Sequence, residues 1–461
     1  MDVNFNEVIQ ATGAQTLGQI DGNAEIFEIS TDSRALDKAD LFFALTGKNF
    51  DGHDFIKEAI EKKVKVFVVS NPEKILPEFK NSAAFFVVKD TLKAYGDLAQ
   101  YYRQKFKIPA IAITGSSGKT TVKELTAHIL SQAFKVLKNR GTENNLIGVP
   151  KTLLQLEKSH EIMILEMGAS IPGEINRLSS ILAPQIGILT QIGMAHIEGF
   201  GTQEGIKIEK LSVLNHLERG GMLIVNGQDP LLKDVKSGMH KILRVGLQKE
   251  NNDLWADQLW CHEAGSSFHL NGKDLCETPL LGRHNVFNCL LAIMTANLLG
   301  VKLPVIQKAL SSFNPVAGRL TAKSWDGIQF LDDTYNSNPS SFKASLETLK
   351  DFKMRGRKGV VCGDMLELGD QAITLHETLG ALIADWLFDF VIAAGPLSKH
   401  LVDGALKRGF DPQRIHHVKD SAAAGKLCRE IARAGDLILV KGSRGMKMEK
   451  VFECFITSST R

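Results

Sequence analysis

Apolar positions along this chain follow two rhythms. Between residues 26 and 107 they fall in short blocks. Phe42–Leu45 reads as a strand, Phe55–Lys62 as a helix, Val64–Val69 as a second strand, and Leu92–Phe106 as a helix that closes the region. Ile108-Pro109 then punctuates the chain. From Ala110 the apolar runs become continuous: Ala110–Thr114, Ile162–Glu166, Ile186–Thr190 and Met222–Val225, separated by helical stretches. Such runs mark strands covered on both faces, as in a parallel sheet flanked by helices. Residues 253–280 break this rhythm and predict an antiparallel insertion or edge. A third alternation begins near Pro315, with strands at Ile328–Leu331, Gly359–Cys362, Phe390–Ala394, Ile415–Val418 and Leu437–Val440, and predicts a second doubly wound sheet. The expected architecture is α/β in three domains: 1–107, 108–314 and 315–461.

Composition narrows the function classes. A chain of 461 residues suits about three domains of roughly 150 residues each. With 44% hydrophobic and 23% charged residues, a mostly disordered chain is excluded. Lys and Arg number 55 against 52 Asp and Glu, a net charge of +3, so no bulk basic surface for nucleic acid is expected. No apolar run reaches the roughly 18 residues of a membrane span. The N-terminal stretch MDVNFNEVIQATG has no apolar core, so no secretory leader is expected and the cytoplasm is the expected location. The six cysteines form no C-x-x-C pair, which suits free thiols in a reducing compartment.

The strongest local chemistry is Ile111-Ala-Ile-Thr-Gly115-Ser116-Ser117-Gly118-Lys119-Thr120-Thr121, between an apolar strand and the expected helix Val122–Ala133. Glycines let backbone N–H groups close around phosphate oxygens, and the helix N-terminus adds positive potential. Lys119 is placed to reach terminal phosphates, and the Thr120 hydroxyl to meet Mg2+. Ile113 stands where a full Walker motif has a further glycine, so this is a short variant. Glu166 ends an apolar strand, on the edge where parallel sheets bind ligands, and reads either as an Mg2+ ligand or as a surface or capping carboxylate. His196 follows the strand Ile186–Thr190 and reads either as a metal ligand or as a loop histidine bonded within the fold. Lys210, on the expected helix Glu204–Leu217, reads as a solvated charge, with nothing in the pattern to set it apart from Lys207.

Taken in order, the motifs resemble the Mur ligases, ATP-dependent amide-bond-forming enzymes of peptidoglycan synthesis, over nearly the whole chain. They are Thr31-Asp-Ser-Arg34, Leu41-Phe-Phe-Ala-Leu-Thr-Gly47 with Asp51-Gly-His53, the phosphate loop, Asn144-Asn-Leu-Ile-Gly-Val-Pro150, and Leu165-Glu-Met-Gly168 with Pro172-Gly-Glu174. They continue with Gly193-Met-Ala-His-Ile-Glu-Gly-Phe-Gly201, Gly282-Arg-His-Asn-Val-Phe-Asn288, Gly318-Arg319, Asp332-Asp-Thr-Tyr-Asn-Ser-Asn-Pro339 and Lys441-Gly-Ser-Arg444. Thr142-Glu143 departs from the family's more usual Asn-x before Asn144-Asn145.

The resemblance implies a UDP-substrate domain, a central ATPase domain and a Rossmann-like C-terminal domain. It implies ATP held by Gly115 to Thr121, Asn285, Asn288, Arg319 and Asp333, with Lys119, His196 and Lys210 at the chemistry. It implies Mg2+ held by Thr120, Glu166, His196 and a carbamylated Lys210, since a carbamate turns an ammonium into an oxygen donor. Ser33, Arg34, Thr46, Asn144 and Asn145 fall where the family holds its UDP-linked substrate. The third-residue-adding members carry Asp-Asn-Pro-Arg, which is missing here, so the dipeptide-adding branch is favoured: UDP-MurNAc-tripeptide and D-alanyl-D-alanine are the expected substrates, and a monomer the expected state. Folylpolyglutamate synthase is the alternative from the wider superfamily, disfavoured by the first-domain motifs. A nucleotide-switch protein would need Asn-Lys-x-Asp, which the sequence lacks.

Overall fold

A computed structural model describes residues 3–36, 39–47 and 50–456. The chain forms two compact units. The first gathers residues up to 112 with 135–168 and 174–184; the second gathers 113–134, 169–173 and everything from 185 onward.

In the first unit a five-stranded sheet runs in the order Gln15–Leu17, Ala84–Val87, Val66–Val69, Leu41–Phe43, Ile29–Ser30. Only the first pair is antiparallel. Phe42, Phe67 and Phe85 meet in its core with Leu36, Ile56 and Val69. The expected strand Phe42–Leu45 ends at Phe43. Ala44 and Leu45 stay buried but turn their carbonyls elsewhere, to Thr91 Oγ1 at 3.0 Å and to Gly52 N at 2.8 Å. The expected helix Phe55–Lys62 begins as a tight turn, Gly52–Phe55, and continues as Ile56–Glu61. The closing helix is Thr91–Gln104, started by the Asp90 side chain, which accepts from Lys93 N. Its far end is anchored by Tyr102 Oη, donating to Leu156 O at 2.8 Å, and by Arg103 Nε, donating to Leu182 O at 3.0 Å. The same unit holds the parallel pair Val136–Lys138 and Ile162–Glu166.

In the second unit the strands Ile186–Leu189, Met222–Asn226, Lys241–Gly246 and Leu254–His262 run parallel and side by side. Gly265–Leu270 and Asp274–Thr278 then extend the sheet antiparallel, as the pattern over 253–280 predicted. The C-terminal sheet has six strands in the order Thr321–Trp325, Ile328–Asp333, Leu437–Lys441, Lys358–Gly363, Phe390–Ala394, Ile415–Val418, all parallel except the first. Phe330, Ile392, Ile438 and Phe455 lie in its core. Asp333, Gly363 and Lys441 end three neighbouring strands, so their side chains and loops gather on the carboxyl edge, where open parallel sheets bind ligands.

Among the described residues no helix is long and apolar enough to cross a membrane. All six cysteines are free thiols. Burial pushes those of Cys276, Cys289, Cys362 and Cys428 up to about 12, so they pack as apolar groups.

Candidate active site

The helix after the phosphate loop starts at Lys119, three residues earlier than expected, and runs to Leu130. Its N-cap is Gly118, at φ +84°, with no side chain bonded to the first turn. That leaves the helix's first N–H groups directed into the loop, as an anion site requires. Both loop glycines are needed for space as well as conformation. Gly115 has φ +137°, and a Cβ there would lie 2.1 Å from Thr190 Oγ1; one on Gly118 would lie 2.7 Å from Asn288 Oδ1. The loop is tied down by Thr190 Oγ1, which donates to Ser117 O at 2.5 Å, and by Ser116 N, which donates to Gln191 O at 2.9 Å. Lys119 arches back, its Nζ donating to Gly115 O at 2.8 Å.

Two other parts of the second unit close on this loop. From the helix Arg283–Leu298, Asn288 lies against Gly118, and its Nδ2 donates to Asn285 Oδ1 at 2.8 Å, while Asn285 Nδ2 donates to Leu281 O at 2.8 Å. From the C-terminal segment, Arg319 Nη2 donates to Thr120 Oγ1 at 3.2 Å, and its guanidinium lies 3.8 Å from the centre of the Tyr335 ring. Stacking of this kind holds the guanidinium plane while leaving its edge donors usable. Asn338 Nδ2 donates to Ser117 Oγ at 3.0 Å. Asp333 is engaged away from these contacts: its Oδ2 accepts from Lys441 Nζ at 2.5 Å and from Ser345 Oγ at 2.6 Å. Burial pushes the neighbouring His284 down to about 4, against the pull of the Asp333 charge.

His196 has left-handed backbone, φ +58°. Its Nδ1 is 2.6 Å from Glu367 Oε2. Burial lowers its pKa; Glu367 opposes this, and the charges of Lys119 and Lys210 add to it. Lys210 corrects the solvated-charge expectation. It is only 2% exposed, its Nζ lies 3.5 Å from Ala169 O and 5.5 Å from the centre of the Phe200 ring. The helix carrying it, Gln203–Leu211, packs this face inward, whereas Lys207 pairs with Glu204 at 3.1 Å.

The remaining expected site residues belong to the first unit. Glu166 is buried at its strand end, and its Oε1 accepts from Asn144 Nδ2 at 2.8 Å. Asn139, which sequence reasoning passed over, brackets the Glu166 backbone: its Oδ1 accepts from Glu166 N and its Nδ2 donates to Glu166 O, both at 3.0 Å. Its only signal was its place just after the short strand Val136–Lys138. Asn145 is a local cap, accepting from Ile147 N and Gly148 N. Ser33 O accepts from Lys62 Nζ at 3.2 Å. Arg34 is exposed and grips Asp32 through two bonds, at 2.9 and 2.8 Å, which hold the Asp32 carboxyl down at about 2. Thr46 Oγ1 lies 3.3 Å from Asp51 Oδ1. His53 is buried with Nδ1 2.6 Å from Asp51 Oδ1, and Nε2 accepts from Ser70 N and Asn71 N, so that motif ties the loop together.

Among the described residues no three His, Cys, Asp or Glu side chains cluster as a metal cage. The buried Thr120 hydroxyl and Glu166 carboxylate are hard oxygen donors of the kind Mg2+ takes when substrate phosphates supply most of its shell. Lys210 as an ammonium has no lone pair to offer, so it fits a metal only after gaining oxygens.

Comparison with known proteins gives matches over most of the chain. Residues 25–103 match the Mur ligase family catalytic domain, 113–296 the Mur ligase middle domain, and 318–444 the Mur ligase glutamate ligase domain. The chain is 36% identical over 435 residues to the UDP-N-acetylmuramoyl-tripeptide–D-alanyl-D-alanine ligase of Bacillus subtilis (strain 168), covering 94% of each chain. Its structure is similar to that of MurF from Acinetobacter baumannii, with a TM-score of 0.90, 32% identity and 99% of each chain covered. It is similar also to MurF from Thermotoga maritima in complex with ADP, with a TM-score of 0.83, 28% identity, and 93% and 97% covered.

Proposed function

The chain belongs to the Mur ligase family, and from that premise we infer that it is an ATP-dependent ligase joining D-alanyl-D-alanine to a UDP-N-acetylmuramoyl-tripeptide. The observation that carries the substrate assignment is full-length similarity to ligases of that name, at 36% identity over 94% of the chain. The geometry supports the phosphoryl-transfer half. Lys119, the uncapped helix start and Arg319 bring positive charge to one loop.

A peptide carboxylate is a poor electrophile. Taking the γ-phosphoryl group of ATP makes it an acyl phosphate, with ADP leaving. The dipeptide amine then attacks the acyl carbon, a tetrahedral intermediate forms, and phosphate departs as the amide closes. Negative charge builds on phosphoryl oxygens, so preorganised donors there lower the barrier. Lys119 and the loop N–H groups serve the terminal phosphates, Arg319 stays at Thr120 on its Tyr335 platform, and Asn285 and Asn288 line the base side. Asp333 orders Lys441 and completes the nucleotide contacts of the C-terminal segment. Mg2+, when bound, neutralises phosphate oxygens; we assign Thr120, Glu166, His196 and a carbamylated Lys210 to hold it. Carbamylation adds the neutral amine to CO2 and releases a proton. Ser33, Arg34, Thr46, Asn144 and Asn145 are assigned to the UDP-linked substrate. The reaction belongs in the cytoplasm, where it completes a peptidoglycan precursor and so serves cell shape and division; a monomer suffices for it.

The test is phosphate release from ATP with UDP-MurNAc-tripeptide, with and without D-alanyl-D-alanine, beside a parallel reaction with a folate substrate and glutamate. Release that requires both peptide substrates supports the reading; release only with folate and glutamate overturns it.

Arg34→Ala should raise the KM for the UDP-linked tripeptide about tenfold or more and leave that for ATP within about twofold, because a planar guanidinium already set by Asp32 suits diphosphate or carbonyl oxygens. Steady-state kinetics with each substrate varied in turn checks this. Equal effects on both substrates would mean a folding role.

A further inference from the structure

We propose that Glu367 is a positioning residue: it fixes the His196 imidazole as the Nδ1–H tautomer, leaving the lone pair on Nε2, and it does so from the C-terminal segment. The proposal rests on the reading that His196 serves the ligase site.

Glu367 lies in Gly363-Asp-Met-Leu-Glu-Leu-Gly369, which no role assigned above uses. Its Oε2 is 2.6 Å from His196 Nδ1. In a neutral ring the nitrogen facing a carboxylate carries the proton, and the other nitrogen becomes the acceptor. A carboxylate behind a histidine also raises its basicity as a ligand.

The contact is prepared on both sides. His196 and Glu367 are both non-glycine residues in left-handed backbone, φ +58° and +63°, a conformation that persists only where surroundings hold it. The loop before Glu367 is tied by three bonds. Ser443 N donates to Asp364 O at 3.0 Å, Met365 N to His376 Nε2 at 3.0 Å, and Leu366 N to Ser443 Oγ at 2.9 Å. His376 is itself buried and oriented through Nδ1, 2.6 Å from Ala372 O. Beyond Glu367, Gly369 at φ +53° lies beside Glu198, where an added Cβ would sit in van der Waals contact with Glu198 Cβ at 3.5 Å. The carboxylate therefore arrives on a fixed arm. Its side chain is 60% exposed, where an ion pair adds little to stability, so orientation is what the arm provides.

The consequence is a coupling. His196 belongs to the central segment and Glu367 to the C-terminal one, so the ring is ordered only while the loop Asp364–Gly369 rests on the turn His196–Phe200. Ser443 sits in the Lys441-Gly-Ser-Arg444 motif and also donates to Ser337 O at 3.2 Å, within the motif that carries Asp333 and Tyr335. One serine thus links the arm that orders His196 to the strand end beside Arg319's platform.

Glu367→Ala and Glu367→Gln test this. Glutamine keeps an oxygen that accepts from Nδ1–H; alanine does not. The first readout uses the protein without ATP: ring 15N shifts of His196 by long-range 1H–15N correlation, assigned with His196→Asn. Wild type and Glu367→Gln should show the Nδ1–H form, whereas Glu367→Ala should move toward a mixture with Nε2–H. The second readout is turnover. Glu367→Ala should lose about 10- to 100-fold in kcat, with KM for the UDP-linked tripeptide within about twofold, and Glu367→Gln should recover most of it. Unchanged His196 shifts in Glu367→Ala, or a Glu367→Gln enzyme as poor as Glu367→Ala, overturns the proposal. A wild-type protein that shows the Nδ1–H form but forms no amide from the UDP-linked tripeptide would overturn the ligase reading instead.

Discussion

Lys119→Ala should leave a folded protein with almost no turnover. In the free protein the Lys119 ammonium donates to Gly115 O, a neutral carbonyl of its own loop, at 2.8 Å. That contact is replaceable by water, so thermal unfolding of the variant should shift little. On the phosphate-loop assignment proposed above, the same ammonium meets phosphoryl oxygens whose charge grows toward the transition state. Removing one such donor costs about 3–4 kcal/mol, or two to three decades in kcat. Lys119→Arg should rescue poorly, because the loop is fitted to a narrow chain: Gly115 and Gly118 already have Thr190 and Asn288 within a Cβ's reach. Phosphate release under saturating substrates, beside a melting curve, checks both halves. A near-normal kcat in Lys119→Ala would remove the phosphate-loop assignment itself.

How much of this was legible in the sequence depended on burial. Ala110–Thr114, Ile162–Glu166 and Phe390–Ala394 have the bounds their apolar runs predicted and are buried throughout; Ile415–Val418, with two histidines between its apolar ends, also has its expected bounds. The edge strand Thr321–Trp325 went unread. Its residues alternate between partly buried and exposed, and Lys323 and Ser324 break any apolar run, as edge strands do. Gln15–Leu17 is exposed at every position and leaves no signal at all. The helix after the phosphate loop was placed three residues late because its cap is a left-handed glycine rather than a Ser, Thr or Asp that sequence rules recognise.

At the site, the phosphate loop could be read because its chemistry is contiguous. Contacts made across the chain could not. Arg319 and Thr120 are 199 positions apart, and Asn338 and Ser117 are 221. Only the resemblance singled out Arg319; Asn338 and Ser443 fell inside its motifs with no role of their own, and nothing singled out Asn139 or Glu367. Each of these acts by bonding a residue that already had a reason to be noticed, and a single sequence carries no trace of a bond between distant positions.

Lys210 shows the same limit most sharply, and its replacement should be the second large effect. Two lysines stand three positions apart on the helix Gln203–Leu211. Lys207 reaches Glu204, while Lys210 is buried against Phe200 and the Ala169 carbonyl. A buried ammonium is costly to desolvate, and next to a nucleotide's metal it would repel what the reaction needs. As a carbamate the same side chain attracts it. Lys210→Ala should therefore lose most activity, and millimolar formate or acetate should restore part by supplying the missing oxygens. Lys210→Met should be equally inactive, yet resist rescue, because its thioether fills the space a small carboxylate would enter. Lys207→Ala should stay within about 0.5 kcal/mol of wild type in stability and close to it in turnover. Removing dissolved CO2 should slow the wild type, and bicarbonate should bring it back. An active Lys210→Ala enzyme, or equal losses from Lys207→Ala and Lys210→Ala, would sink the carbamate while leaving the ligase standing. Rescue of Lys210→Met by carboxylates would show that they act somewhere other than the space the lysine leaves.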